Sequence, residues 1–315
     1  MFNKKQMKIS VVTTLYYSAP YLEEFYQRLK RTLIDITDDY EIIFVNDGSP
    51  DDSLKISLKL QKQDKNIKII DLSRNFGHHK AIRTGLTQSC GDYVFLIDSD
   101  LEEKPENLKL FWEKLIKEQS IDVVYGMQAQ RKGGWFERLS GAIFYKIVNL
   151  MISDVSYPVN IVTSRLMTRA YVNGVLQFNE SEYDLWCTFS LVGFNQSACF
   201  IKKENKGTTQ YTFFKKIKLA VLTITSFSAM PLVLIFFIGI LMFFLSSIGI
   251  IHLIIQKFIY NVPLGWTSIF VSIWFIGGLS MLSIGVIGIY LAKVFIETKK
   301  RPDTIIKNIY DEKNE

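Results

Sequence analysis

Hydrophobic positions in the N-terminal part of the chain fall into short runs separated by more polar stretches. The runs are rich in β-branched residues and span residues 8–15, 40–47, 67–73 and 92–98, and stretches of helical length span residues 20–33, 51–63 and 77–88. Strands that alternate with helices of this length predict right-handed βαβ units on a mainly parallel sheet. Such α/β sheets bind ligands at the carboxyl ends of their strands, so the polar residues after each run are the candidate site residues.

Two long uncharged stretches dominate the C-terminal part of the chain. No charged side chain occurs between Lys218 and Lys257, or between Lys257 and Lys293. About 20 apolar residues span the hydrocarbon core of a bilayer, so each stretch can hold one transmembrane helix. Helices of a soluble core seldom run this long without a charge. The pattern therefore predicts membrane-spanning helices at about residues 229–253 and 266–292.

The charges that flank these stretches predict how the chain crosses the membrane. Lysine and arginine cluster before the first stretch and after the second, whereas the connecting loop contains Lys257 alone. By the positive-inside rule both ends lie in the cytoplasm, and the two helices form a hairpin in the plasma (inner) membrane. The first ten residues lack the apolar core of a signal peptide. We therefore expect a cytosolic domain at residues 1–212 and an anchor at residues 213–315 that ends in a cytosolic tail.

Overall charge and cysteine content exclude other classes of function. The chain carries 37 lysines and arginines against 31 aspartates and glutamates, a formal net charge of +6. The basic residues cluster beside the apolar stretches and no nucleic-acid motif occurs, so anionic lipid headgroups account for them better than nucleic acid. Cys90, Cys187 and Cys199 lack paired metal-ligand spacing and are expected to be packing residues.

Carboxylates are concentrated directly after the fourth apolar run, in the stretch FLIDSDLEEKP. Asp98, Asp100, Glu102 and Glu103 lie close together there, and like charges at this spacing repel one another. A divalent cation would offset the repulsion, because Mg²⁺ and Mn²⁺ prefer oxygen ligands and Mg²⁺ is commonly shared between carboxylates and substrate phosphates. Acidic pairs are also common in solvated loops, but the position at a strand end favours a site.

Four motifs, in this order, carry a resemblance to a known family: VNDGSPDDS, DLSRNFGHHKAIRTG, DYVFLIDSDLEEKPE and DVVYG. Together with the C-terminal hairpin they resemble the family 2 glycosyltransferases of GT-A fold. They are similar in particular to the polyisoprenyl-phosphate glycosyltransferases, which include dolichyl-phosphate mannose synthases and bactoprenol glucosyltransferases. The resemblance implies a nucleotide-sugar-binding domain that transfers a sugar, with inversion, from a UDP- or GDP-sugar to a polyprenyl phosphate at the cytosolic leaflet, in cell-envelope polysaccharide synthesis.

The resemblance also implies roles for individual residues. It assigns donor binding to Tyr16, Asp47, Asp98, Ser99 and Asp100. It assigns Mg²⁺ or Mn²⁺ to Asp98, Asp100 and Glu102, where the ion would stabilise the leaving group. It assigns catalysis to Asp100, Arg165 and the position of Thr163.

Basic residues near the motifs have more than one interpretation. Arg74 and Arg131 are candidate clamps for the donor phosphates, because a guanidinium matches phosphate geometry, and solvated surface arginines are the alternative. His78 and His79 have no acidic neighbour in sequence, so packing against the nucleotide loop is expected rather than acid or base chemistry.

An apolar stripe at helical spacing follows the fourth motif, between Gly133 and Met151. Burial in the core is the usual explanation of such a stripe. In a domain anchored by a membrane hairpin, a helix in the membrane interface is at least as good an explanation, and the resemblance implies one at about residues 134–151.

The chain departs from the family pattern at positions that bear on catalysis. Gln210 stands where the family has a basic residue, whose charge can come from one of three nearby lysines, Lys202, Lys203 and Lys206. Thr163, in VTSRLM, stands where the family has an aspartate that is often assigned as the catalytic base. A phosphate monoester has a second pKa of about 6 and is mostly dianionic at pH 7, so a lipid-phosphate acceptor needs no base.

Two other functions stay open on the sequence alone. A glycosyltransferase that acts on a hydroxyl of a glycan or glycolipid would need a base, which Thr163 does not supply. A catalytically silent membrane scaffold that kept the fold would explain the missing aspartate. The sequence also leaves a homo-oligomer open.

Overall fold

The computed structural model describes residues 7–118, 120–128, 160–178, 180, 185–203, 225, 228–260 and 265–311. The chain divides into two compact units. The first contains a β-sheet with its helices and includes the residues after Lys300. The second contains two long apolar helices.

One mixed sheet organises the first unit. Its strands are β1 (Ile9–Leu15), β2 (Tyr40–Asn46), β3 (Ile67–Leu72), β4 (Tyr93–Leu96), β5 (Val123–Gln128), β6 (Ile161–Thr168), β7 (Gln196–Ile201) and β8 (Ile306–Tyr310), in the order β7-β5-β6-β4-β1-β2-β3-β8. Its helices are α1 (Leu22–Ile34), α2 (Ser53–Gln61), α3 (His78–Gln88), α4 (Asn107–Lys117), α5 (Arg169–Leu176) and α6 (Leu185–Leu191).

The central strands form the parallel βαβ arrangement that the sequence predicts. β1 pairs in parallel with β2 and β4, and β2 pairs in parallel with β3. Every residue of β1 and β2 is buried, because helices cover both faces, and this explains their continuous apolar runs. Val11 lies in the core that contains Phe25 of α1 and Phe111 of α4. Val12 lies in the core on the opposite face, with Ile82 of α3.

The antiparallel strand β6 brings a distant part of the chain to the end of β4. β6 pairs with both β4 and β5, and Leu96 lies opposite Arg165. Continuing this register by two residues sets Asp98 opposite Thr163. The aspartates that follow β4 therefore meet the segment that contains Thr163.

The residues after the second apolar helix form a strand, whereas the sequence predicted a tail. β8 pairs antiparallel with β3, and Gln61 Nε2 of α2 donates to the carbonyl oxygen of Tyr310 at 2.8 Å. Without β8, β3 would present unpaired backbone groups at the edge of the sheet. The short segment gives little signal in the sequence because only its pairing with β3, more than 200 residues earlier, makes it a strand.

The second unit contains α7 (Met230–Tyr260) and α8 (Trp266–Thr298), where the sequence predicts membrane helices. Among the described residues, Phe275–Thr298 is long and apolar enough to cross a membrane, and Met230–Met242 is a shorter apolar stretch. The hydroxyl of Tyr290 donates to the carbonyl oxygen of Ser228 at 2.6 Å, which ties α8 to the residues before α7. The predicted interfacial helix at about 134–151 lies outside the described residues.

Candidate functional site

A cavity of about 430 Å³ opens at the carboxyl ends of the parallel strands. This carboxyl-edge cavity is lined by Thr14, Tyr16, Ser18, Asp47, Asn75, Gly77, His78, Asp98, Ser99 and Asp100. Parallel strands end at the same edge of a sheet, so four segments that are distant in sequence meet there. The lining includes the donor-binding residues that the resemblance implies, namely Tyr16, Asp47, Asp98, Ser99 and Asp100.

Asp98 is held by residues from two other elements. Thr163 Oγ1 of β6 donates to Asp98 Oδ2 at 2.6 Å, and His78 Nε2 of α3 lies 3.5 Å from Asp98 Oδ1. His78 Nδ1 lies 3.1 Å from Thr14 Oγ1 at the end of β1. The Asp98 carboxylate is therefore fixed in one orientation at the wall of the cavity.

Burial makes the negative charge in this corner costly. The pKa of Asp98 is raised to about 6 by burial and by the charge of Asp100, against the hydrogen bond from Thr163. The pKa of Glu103 is raised to about 7 by burial and by Asp98, although its oxygens accept the N–H groups of Thr163 and Ser164 at 3.1 and 2.7 Å. A cation beside Asp98 would lower both pKa values, so the carboxylates fit a metal ion.

Glu102 is paired with a lysine. Its Oε2 lies 2.7 Å from Nζ of Lys203, two residues after β7, and its N–H donates to Asp100 Oδ1 at 2.9 Å. Among the described residues, no three His, Cys, Asp or Glu side chains converge as a metal site. The implied set of Asp98, Asp100 and Glu102 is not assembled here. Two aspartates suffice for an ion that takes its other ligands from a phosphate and water.

Asp47 shapes the loop that follows β3, the 73–77 loop. Its two carboxylate oxygens accept the N–H groups of Phe76 and Gly77 at 2.7 and 3.0 Å. Gly48 permits this close approach, because its φ is +60° and a Cβ there would lie 2.6 Å from the backbone of the loop. The implied contact of Asp47 with a nucleotide base stays a prediction. Asp47 also holds a wall of the cavity.

The candidate phosphate clamps lie outside the cavity lining or outside the described residues. The Arg74 guanidinium stacks on the ring of Phe76 at 4.1 Å and donates to the carbonyl oxygen of Asn75 at 3.0 Å. This is a solvent-exposed position on the 73–77 loop, next to Asn75 in the lining. Arg131 lies outside the described residues.

Ser99 and Tyr16 have different environments at the end of β1. Ser99 is buried, donates to the carbonyl oxygen of Thr14 at 3.0 Å, and lies 2.8 Å from the hydroxyl of Ser18. It therefore fixes the backbone between the two aspartates. Tyr16 is 49% exposed and packs edge to face against Tyr17, which gives the cavity an accessible aromatic ring.

Arg165 is buried and does not line the cavity. Its guanidinium carbon lies 3.6 Å from the centre of the Phe189 ring and 5.0 Å from that of Trp186. Burial lowers the pKa of Arg165 to about 10, against the charges of Tyr171 and Glu103. Arg165 has 2% of its surface exposed, and its implied catalytic role stays a prediction.

Sequence reasoning missed Thr14, Asn75 and the contact of His78 with Asp98, whereas it named Lys203 as one of three lysines that could supply positive charge. His78 was set aside because it has no acidic neighbour in sequence, whereas its acidic partner Asp98 comes from another strand. Desolvation by the surrounding protein lowers the pKa of His78 below its ordinary value. The available signal was position, since His78 begins a helix that a five-residue loop joins to the carboxyl end of β3.

Comparison with known proteins finds relatives over nearly the whole chain. Residues 10–176 match the family model described as "Glycosyl transferase family 2". A protein of Mycobacterium tuberculosis described as "Putative glycosyltransferases" is 47% identical over 305 residues, covering 96% of this chain and 89% of the relative. The "Prophage bactoprenol glucosyl transferase homolog" of Escherichia coli is 32% identical over 307 residues, covering 96% of this chain and 99% of the relative.

A solved structure matches the first unit in fold. Glucosyl-3-phosphoglycerate synthase from Mycobacterium tuberculosis, in complex with Mn²⁺, UDP and glucosyl-3-phosphoglycerate, has a TM-score of 0.52 and 14% identity, over 71% of this chain and 80% of that one. This likeness shows a GT-A-like α/β fold with a mostly parallel sheet.

Replacing Asp47 by Asn is expected to loosen the 73–77 loop. An amide of the same size keeps one acceptor oxygen and turns an NH₂ group towards a backbone N–H, so one buried donor loses its partner. The amides of Phe76 and Gly77 should then exchange with deuterium about tenfold faster, as measured by mass spectrometry of peptides that cover the loop. Asp52→Asn, the same change at an exposed position, is the control. Unchanged exchange in Asp47→Asn would contradict the assigned role.

Proposed function

Because the chain belongs to glycosyl transferase family 2, we propose that it transfers a sugar, with inversion, from a UDP- or GDP-sugar to a polyprenyl phosphate at the cytosolic face of a membrane. Family membership makes the chain a glycosyltransferase. The bactoprenol glucosyl transferase homologue supports the acceptor, since the alignment covers 96% of this chain and 99% of the relative, and so includes the apolar helices.

The carboxyl-edge cavity suits a nucleoside diphosphate together with a cation. Asp98 and Asp100 would repel a diphosphate by themselves, because all three groups are anionic. A Mg²⁺ or Mn²⁺ ion bound there would neutralise the charge that develops on the leaving diphosphate. The raised pKa of Asp98 agrees with this assignment, because desolvation and the charge of Asp100 oppose its ionisation and a cation would offset both. The Mn²⁺ and UDP bound to the glucosyl-3-phosphoglycerate synthase also support it.

The observation that carries the choice of acceptor is the contact between Thr163 and Asp98. At the position of the family's aspartate, a hydroxyl donates to a carboxylate, and a threonine hydroxyl is not a general base at neutral pH. Glu103 is no substitute, because it is 1% exposed and its oxygens accept backbone N–H groups. A phosphate acceptor needs no base, since it is mostly dianionic at pH 7.

The residues of the chain then act by positioning. Thr163 and His78 orient Asp98, Ser99 fixes the backbone between the aspartates, and Asp47 holds the 73–77 loop against the cavity. An acceptor phosphate oxygen attacks the anomeric carbon on the face opposite the leaving diphosphate, which inverts the configuration. Lys203 supplies positive charge beside the aspartates, where a second anionic substrate needs it.

One observation favours a hydroxyl acceptor as the second candidate. His78 is 42% exposed in its side chain, lines the cavity, and has a pKa below its ordinary value, so the imidazole is neutral at pH 7. A neutral imidazole can accept a proton from a hydroxyl. In this structure, however, its two ring nitrogens lie beside Thr14 and Asp98, which favours the positioning role.

Strand β8 supports a membrane hairpin. β1 and β8 belong to one sheet, so the residues on both sides of the apolar helices lie on the same side of any membrane that the chain crosses. The chain must then cross an even number of times. Helices α7 and α8, with 31 and 33 residues, are long enough for one crossing each.

Acceptor chemistry tests the proposed function directly. Purified protein with Mn²⁺ and a panel of labelled UDP- and GDP-sugars should label a short polyprenyl phosphate, giving a product that extracts into organic solvent. The matched polyprenol, which lacks only the phosphate, should stay unlabelled. Transfer to the polyprenol or to a glycan hydroxyl would contradict the phosphate acceptor. Intact donor binding without transfer to any acceptor would favour the silent scaffold.

Thr163 tests the mechanism without a base. Thr163→Ala removes the hydrogen bond to Asp98 and one methyl group but no proton acceptor that the mechanism needs, so transfer should fall by no more than about tenfold, or roughly 1.4 kcal/mol of barrier. Thr163→Ser keeps the hydroxyl and should stay close to the parent. The rate of the parent should rise with ionisation of the acceptor phosphate near a pH of about 6 and then level off. A loss of about a thousandfold in Thr163→Ala, with donor binding intact, would show that the hydroxyl takes part in the chemistry.

Reporter fusions test the hairpin. A reporter fused after Glu315 should behave as cytoplasmic, and one inserted near Asn261 should behave as external, because the chain crosses twice. A control fusion before the first residue should match the one after Glu315. Opposite compartments for the two termini would contradict an even number of crossings.

A further inference from the structure

The C-terminal segment, defined as Arg301–Ile306, contacts both α3 and the start of the 73–77 loop. We propose that this segment is a working part of the nucleotide-sugar site, and that Asp303 is a positioning residue. Through Arg83, Asp303 holds α3 so that Gly77 and His78 line the carboxyl-edge cavity. The inference rests on the proposed function, because it concerns the same nucleotide-sugar site.

Two successive residues of the C-terminal segment contact two successive residues of α3. The Asp303 carboxylate forms an ion pair with the Arg83 guanidinium, and the Thr304 hydroxyl lies 2.7 Å from the Thr84 hydroxyl. Arg83 and Thr84 are both buried. Without the Asp303 charge, the guanidinium keeps the weaker contact of Nη2 with the carbonyl oxygen of Leu176 at 3.5 Å, so α3 is held less firmly and can shift towards water.

The C-terminal segment also fixes the start of the 73–77 loop. The N–H of Ser73 donates to the carbonyl oxygen of Ile305 at 2.9 Å, directly after Leu72 pairs with Ile306. The other end of the loop is held by Asp47, which accepts the N–H groups of its last two residues. The loop therefore depends on β2 at one end and on the C-terminal segment at the other.

Helix α3 transmits the position of Asp303 to the cavity. Arg83 lies between one and two helical turns from His78, a length over which a helix moves as a rigid unit. The helix is closely packed on the sheet, since a Cβ on Gly85 would lie 2.4 Å from Val12 Cγ1. A shift that hydrates Arg83 would thus displace His78 from Asp98. Displacements of about 1 Å at a site can cost a hundredfold in rate.

The C-terminal segment follows both apolar helices in the sequence. Only Lys299 and Lys300 separate α8 from Arg301. The nucleotide-sugar site is therefore completed by residues that follow both apolar helices. A catalytic domain cut before the helices would contain every residue that lines the cavity and would still lack Asp303 and strand β8.

Nucleotide binding by full-length variants in detergent tests the proposal. UDP and GDP are titrated calorimetrically in the presence of Mn²⁺, and the nucleotide that the parent binds is used throughout. Asp303→Asn should weaken binding about tenfold, and Asp303→Glu, which keeps the carboxylate, should recover most of the loss. Asp311→Asn is the matched control, because Asp311 Oδ2 lies 3.8 Å from Nζ of Lys68 at the opposite end of β3. It should bind the nucleotide like the parent, even if both variants melt at a lower temperature.

Several results would overturn the positioning role. Unchanged affinity in Asp303→Asn, or an equal loss in Asp311→Asn, would show that Asp303 contributes stability alone. If Asp303→Asn does not fold, Thr304→Val is compared with the parent in the same way, since it breaks the contact with Thr84 without leaving a buried charge.

Amide exchange separates this proposal from the proposed function. If the parent binds neither UDP nor GDP, the proposed nucleotide-sugar donor is wrong, but exchange across the 73–77 loop still decides the role of Asp303. Faster exchange in Asp303→Asn than in the parent and Asp311→Asn would support the positioning role. Equal exchange in all three proteins would overturn it.

Discussion

A partly buried carboxylate whose ionisation is opposed by its surroundings is the constraint on which the site depends. Asp98 lies beside Asp100, its oxygens face a threonine hydroxyl and a histidine whose pKa is lowered, and its own pKa is raised to about 6. In a low-dielectric environment this arrangement opposes ionisation of Asp98. The proposed cation would offset this repulsion and would in turn attract an anionic diphosphate. The features that oppose ionisation of Asp98 are therefore those that would favour the proposed binding of a cation together with a nucleoside diphosphate.

The connections of the sheet explain why this corner contains the residues it does. Parallel strands bring Asp47 and Asp98 to one edge, and antiparallel β6 sets Thr163 opposite Asp98. β7 ends beside Glu102 and delivers Lys203. The segment after the apolar helices adds β8 and supports the 73–77 loop. The cavity is thus built from segments that are distant in sequence. The two apolar helices lie in the stretch of chain that connects β7 to β8.

The apolar runs of the sequence predicted the strands whose structure follows from their own residues. β1 to β4 are fully or largely buried strands of β-branched residues, so their apolar runs identified both the strands and the edge at which Asp98 lies. Strand β8 was not predicted, because it is a strand only through its pairing with β3. The contact of His78 with Asp98 was not predicted, because the two residues are 20 positions apart in sequence. The ion pair of Glu102 with Lys203 was not predicted either, because it joins residues about a hundred positions apart. Such long-range contacts leave no periodic signal in a single sequence.

Cation-dependent nucleotide binding tests the central claim most directly. UDP and GDP affinities of the full-length protein would be measured by calorimetry with Mn²⁺ and again with excess chelator, for the parent and for Asp100→Asn. If Asp98 and Asp100 bind the cation that holds the diphosphate, chelation should weaken nucleotide binding by the parent about a hundredfold or more, roughly 2.7 kcal/mol. In Asp100→Asn, the affinities with Mn²⁺ and with chelator should differ much less. Equal affinity with and without the cation in the parent would contradict the account.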